Sequence, residues 1–168
     1  MSLPDLTRRL ALLEITPETN LVLEPFRLKL NSALDGIVHR FYRHLQSHPE
    51  GQRFFPDNSR IPALVEKQRA HWQRLFNCQF DAAYLEGCTA IGQAHLRAGI
   101  APYLYIAGYT YFLVELQKFA ALHFSNPQEL GTILAAATRL VHLDMDLALS
   151  VYTREVVQLV ASRAAHQQ

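Results

Sequence analysis

The stretch His95-Leu96-Arg97-Ala98-Gly99-Ile100-Ala101-Pro102-Tyr103-Leu104-Tyr105 decides how this 168-residue chain is read. It ends one helix and opens another. Gly99 is free to take the left-handed conformation that stops a helix. Pro102 fits the first turn of the helix that follows. Upstream, Asp81 can cap a helix starting at Ala82. On that helix Tyr84, Cys88, Ile91 and His95 share one face at i, i+4, i+7 and i+11. His95 therefore sits on an apolar face, one turn before the helix ends.

The same punctuation recurs outward from this motif. Thr16-Pro17-Glu18 and Asn126-Pro127-Gln128-Glu129 are helix starts with proline at the first helical position. Long Leu- and Ala-rich stretches, such as 109–126 and 132–164, lack glycine and proline, and no strand-like alternation appears. The pattern predicts helices over 4–13, 17–31, 33–48, 60–77, 82–98, 102–124 and 127–164. Residues 49–59, with Pro49, Gly51, Pro56, Asp57, Asn58 and Ser59, are expected to be irregular. The last helix is long for a globular protein, at roughly 35 residues. Such a helix often projects from its domain or packs on a second chain. The fold class is all-α, in one domain covering 1–168.

Composition narrows the function. Sixteen basic and fifteen acidic side chains nearly balance, which argues against nucleic acid or a charged membrane surface as partner. No segment approaches the roughly 20 apolar residues of a membrane span. The N-terminus has no signal-peptide core, and two cysteines do not make a disulfide framework, so cytoplasm is the expected compartment. Hydrophobic residues reach 49% while charged ones are only 18%. A cofactor, a partner chain or both would account for that imbalance.

Three helices carry a polar group on the buried side. Tyr42 lies at the edge of the stripe Leu30, Leu34, Ile37, Val38, Phe41 and Leu45, and its hydroxyl needs a partner if buried. Gln68 interrupts Ile61, Leu64, Val65, Trp72, Leu75 and Phe76; it either reaches the surface or lines a pocket. His95 is either a satisfied core histidine or a ligand to a metal in an apolar pocket. A single protein histidine suits haem, because the porphyrin supplies four donors, whereas zinc takes three or four protein ligands. His44 and His48 share a solvated face, and His71 lies beside the apolar stripe. Catalytic templates are missing: no G-x-S-x-G, no Gly-rich phosphate loop, no H-E-x-x-H and no C-x-x-C. Asp144 and Asp146, two apart on a helix, point to different faces and cannot act as a pair.

The combination of Phe41-Tyr42-Arg43 with the H-x-R-x-G-[IL]-x-P run at 95–102 and Tyr105 resembles the sensor globins of bacterial globin-coupled sensors. The resemblance covers nearly the whole chain. It includes an extra short N-terminal helix, no separate helix at 49–59, and a long final helix with Leu143-Asp144-Met145-Asp146. It implies a globin fold binding haem b, with His95 as the axial ligand. Tyr105 matches a tyrosine that can hydrogen-bond the proximal imidazole. Tyr42 matches the distal tyrosine that donates to bound O₂. Val65 and Gln68 match distal-helix positions, although relatives often carry a small hydroxyl residue where Gln68 stands. The pair Phe54 and Phe55 resembles the phenylalanine that packs on the haem.

The implied function is a haem-based O₂ sensor that also takes CO and NO. It would form a homodimer through its last two helices and pass the signal to a C-terminal transmitter, a diguanylate cyclase or a chemotaxis transducer. The chain ends where that transmitter would begin, so the transmitter is expected to be absent. The sensor domain itself is expected to be no enzyme. Competing classes are a haem-free signalling globin, against which His95 counts, and a haem enzyme of nitric-oxide dioxygenase or peroxidase type. The latter needs an electron supply or a distal acid–base pair, and the sequence shows neither. His71 is an alternative internal ligand for the iron.

Overall fold

A computed structural model of the chain describes residues 1–165; His166 lies outside them. Every regular element among the described residues is a helix. In order these are α1 (Leu3–Leu12), α2 (Pro17–Leu30), α3 (Leu34–Gln46), α4 (Pro49–Phe54), α5 (Ile61–Phe76), α6 (Ala82–Arg97), α7 (Pro102–His123) and α8 (Pro127–Ala165). None of the described helices is long and apolar enough to cross a membrane.

Seven of the eight match the elements expected from caps and periodicity. The exception is α4, six residues where an irregular stretch was expected. Pro49 occupies its first turn, where a missing N–H costs nothing. Gly51 makes the tight α3–α4 corner possible: a Cβ there would lie 1.9 Å from the Leu45 carbonyl oxygen. This short helix carries Phe54 inward; Phe55 follows as its C-cap.

The end of α6 is a Schellman motif. Gly99, at φ +73°, follows the C-cap Ala98. The Gly99 N–H donates to the Leu96 carbonyl at 3.0 Å and the Ile100 N–H to the His95 carbonyl at 3.1 Å. The backbone of His95 is thus fixed by the turn that the motif encodes. Beneath it α6 and α8 cross closely. A Cβ on Gly92 would meet the Ala148 carbonyl oxygen and Val151 Cγ2 at 2.8 Å each.

Helix α8 runs through the core and then out of it. Ile133, Ala137, Leu140, Val141, Ala148, Val151 and Tyr152 are buried within the chain, whereas Val156 and Leu159 are exposed. Most of the apolar stripe on this helix is therefore intrachain core. The paired acids on α8 separate as their spacing demands: Asp146 meets Arg9 of α1, and Asp144 is buried.

Candidate functional site

A cavity of about 470 Å³ opens between α3, α4, α5, α6 and α7. Its size falls within the range of small-molecule and cofactor sites. Phe41, Phe54, Phe55, Leu104, Ile100 and Phe112 supply apolar wall, and exposed Arg60 and Lys67 stand at its rim.

His95 enters from α6, half-buried. Its Nδ1 lies 2.8 Å from the Ile91 carbonyl oxygen. A carbonyl only accepts, so Nδ1 carries the proton and Nε2 keeps its lone pair. Burial pushes the ring below its ordinary pKa, partly offset by the bond to Ile91. The imidazole is therefore neutral and its free nitrogen is a ready ligand. Tyr105 stands edge-on to it, with ring centroids 4.7 Å apart at 75°. Tyr105 is buried, and burial raises its phenol well above the usual value.

Tyr42 and Gln68 lie on the opposite wall. The Trp72 indole N–H donates to Gln68 Oε1 at 3.1 Å. That bond settles which end of the amide faces where, since an indole only donates. That leaves the NH₂ of Gln68 as the end that can face Tyr42, whose phenol it lowers against the effect of burial. An amide NH₂ cannot accept, so Gln68 makes no claim on the Tyr42 proton. Burial pushes this phenol up to about 12, against the opposing effects of Gln68 and Arg60, so it stays protonated at neutral pH. Gln68 thus faces the cavity rather than the surface. Val65 is buried in the core beside Leu64, which lines the cavity. Both Phe54 and Phe55 reach the cavity, and Phe55 packs edge-on against Tyr42 at 5.2 Å.

At the deep end lies a cluster that the sequence did not reveal. Asp144 of α8 is 1% exposed. Its Oδ1 accepts from the Tyr84 hydroxyl at 2.6 Å and the Cys88 thiol at 3.4 Å. Its Oδ2 accepts from the Tyr109 hydroxyl at 2.7 Å and lies 2.7 Å from His71 Nε2. Four donors from α5, α6 and α7 saturate one carboxylate of α8. Burial works against charge on both His71 and Asp144, but their mutual attraction and hydrogen bonds prevail. His71 is raised and Asp144 lowered from their ordinary values. The structure thus assembles an acid–base pair beside the cavity, and ties it down. His71 lines the cavity, yet its Nε2 is committed to Asp144.

His71, Cys88 and Asp144 bring N, S and O donors within 4.8 Å of one another, a spacing that suits a metal ion. Each is engaged in the protein's own hydrogen bonds, and burial holds the Cys88 thiol protonated. One sequence signal could have exposed this hub. Asp144 falls at i+4 of Leu140 and i−4 of Ala148, a charge inside a buried helical stripe.

With this geometry in place, comparison with known proteins is informative. The protoglobin family model matches residues 3–157. The chain belongs to the protoglobin family. The globin domain of a globin-coupled sensor from Geobacter sulfurreducens matches this protoglobin with a TM-score of 0.80 at 18% identity, covering 87% of this chain and 96% of that one. That likeness shows a shared globin fold. The heme-based aerotactic transducer HemAT of Halobacterium salinarum is 27% identical over 109 residues, 64% of this chain. The matched segment spans 22% of the transducer's length. The chain is thus a protoglobin with the globin fold that the resemblance at 95–102 led one to expect.

Proposed function

We propose that this protoglobin domain binds haem b through His95 and senses O₂, with CO and NO as further ligands. The observation that carries the reading is the state of His95: neutral, Nδ1 committed to Ile91, Nε2 free on an aromatic-walled cavity. The residues fit the group in two further ways. The apolar walls suit a flat ring, and Arg60 and Lys67 at the rim offer cationic partners for its carboxylates.

When bound, the haem supplies an iron centre that takes diatomic gases reversibly. The chain supplies the rest. His95 Nε2 would hold the proximal side, and the Ile91 carbonyl orients the ring. Tyr42 would offer its O–H to a bound gas, with the donor end of Gln68 beside it. A donor there favours the more polar O₂ over CO. Phe54, Phe55 and Leu64 exclude water.

The same reading assigns signalling to α7 and α8. Ile106, Val114, Val156 and Val160 are exposed apolar residues on these helices, which supports a homodimer through them. An output domain, diguanylate cyclase or chemotaxis transducer, would take the signal from the end of α8, and cytoplasm is the compartment proposed. The sensor domain itself is proposed to carry no enzymatic role.

Haem titrated into haem-free His95→Gly protein tests the assignment. The wild-type Soret band should be altered in the variant and restored by free imidazole. An unchanged band in His95→Gly would overturn the ligand assignment.

A further inference from the structure

Most of the cavity wall is apolar, yet one carboxylate stands in it. Asp144 lines the deep end and is 1% exposed. A carboxylate out of water is costly unless a cation stands against it. The neutral donors Tyr84, Cys88 and Tyr109 satisfy its lone pairs but leave its charge in place. Among the described residues the one cation paired with it is His71, whose Nε2 lies 2.7 Å from Oδ2. Arg74, the next cation, pairs instead with the exposed Asp81 at 2.9 Å. Against the opposing effect of burial, attraction to Asp144 raises His71 and attraction to His71 lowers Asp144, which favours the ionised form of both.

His71 and Asp144 line the same cavity, and His71 belongs to α5, three residues after Gln68 and next to Trp72. The pair therefore sits on the wall that a bound gas would face. Charge in a low-dielectric wall acts strongly on charge that develops inside it. We infer that His71 is a specificity-determining residue of the cavity: by cancelling the charge of Asp144 in the wall, it keeps the site receptive to ligands that gather negative charge. The inference rests on the reading of the cavity as a haem site and adds to it a second basis for preferring O₂, besides the Tyr42 hydroxyl. Without His71 the wall would carry a net negative charge. That charge would repel the electron-rich O₂ more than CO, and it would favour the ferric over the ferrous state of a haem held there.

The test reads the midpoint potential of the haem-loaded protein by spectroelectrochemistry, with O₂ and CO release beside it. His71→Gln keeps a donor for Asp144 and removes the cation. Its potential should move negative, and O₂ release should quicken several-fold with CO release unchanged. Asp144→Asn removes the anion and with it the need for a cation. Its potential should stay near the wild-type value, although it disturbs more hydrogen bonds. The double variant, neutral at both positions, should return to the wild-type potential. A purely structural role would rank the variants by hydrogen bonds lost rather than by net charge. An unmoved potential in His71→Gln, or a positive shift in Asp144→Asn, would overturn the inference, while a normal Soret band would leave the haem reading intact. If His71→Gln takes up no haem, Asp144→Asn decides alone. Absence of any Soret band in the wild-type protein would overturn both readings.

Discussion

Two phenols face the cavity from opposite walls, and each has its proton direction set by a remote partner of fixed polarity. On the distal side the partner is Trp72, which only donates. It fixes Gln68 with its NH₂ as the end that can face Tyr42, so the phenol proton is not claimed by the amide. On the proximal side the partner is Asp144, which only accepts. Through Tyr109 it turns the Tyr105 proton toward the Tyr109 oxygen. The distal chain is short and lies along one face of α5 toward α3. The proximal chain ends in a hub that ties α5, α6 and α7 to α8. The difference teaches that the distal residues can be changed at little cost to the fold, whereas the hub holds four helices together.

The largest effect should come from Asp144→Ala. Removing one partner of a buried charge cluster costs about 3–5 kcal/mol, because His71, Tyr84 and Tyr109 lose their acceptor together. Tyr42→Phe should cost less than about 1 kcal/mol in denaturant unfolding, since the ring packing survives. Equal destabilisation of the two would break the comparison.

Function should show the reverse order on the distal side. Loss of a hydrogen bond to a partly charged ligand is worth about 1.5–3 kcal/mol, so Tyr42→Phe should speed O₂ release roughly 10- to 100-fold, with CO release little changed. Stopped-flow ligand replacement checks this.

The hub also carries a pH signature. His71 is raised from 6.5, so its contribution is full below that pH and is lost as pH rises through the higher folded value. Asp144 is lowered from 3.8, so its contribution is lost only as pH falls below that value. Arg74 opposes the charge on His71, while Tyr84, Tyr109 and Cys88 stay protonated. Melting temperature should therefore decline between pH 6.5 and 9 in the wild type and stay flatter in His71→Gln. The smallest effect should be that of Gln68→Leu, a rise in O₂ release of a few-fold, about 1 kcal/mol or less. If Gln68→Leu matched Tyr42→Phe, the amide rather than the phenol would be the donor.

Legibility in the sequence followed the range of the interactions. The His95 turn was readable because Gly99, Ala101 and Pro102 act on backbone within a few residues. Tyr42, Gln68, Phe54 and Phe55 were readable as polar or aromatic departures from helical stripes, and all reach the cavity. Helix α4 was missed because six residues with a proline and a glycine carry too little periodicity, and its corner depends on contact with Leu45. The Asp144 hub was invisible to pairwise spacing. Its members come from four helices, and the acid meets its partners 35 to 73 residues away in the chain.

The most direct test of the central claim is the absorption spectrum of the haem-reconstituted, reduced protein with and without O₂. The account predicts a Soret band that shifts on adding O₂ and returns when O₂ is removed. A chain that takes up no haem, or a haem spectrum indifferent to O₂, would contradict it.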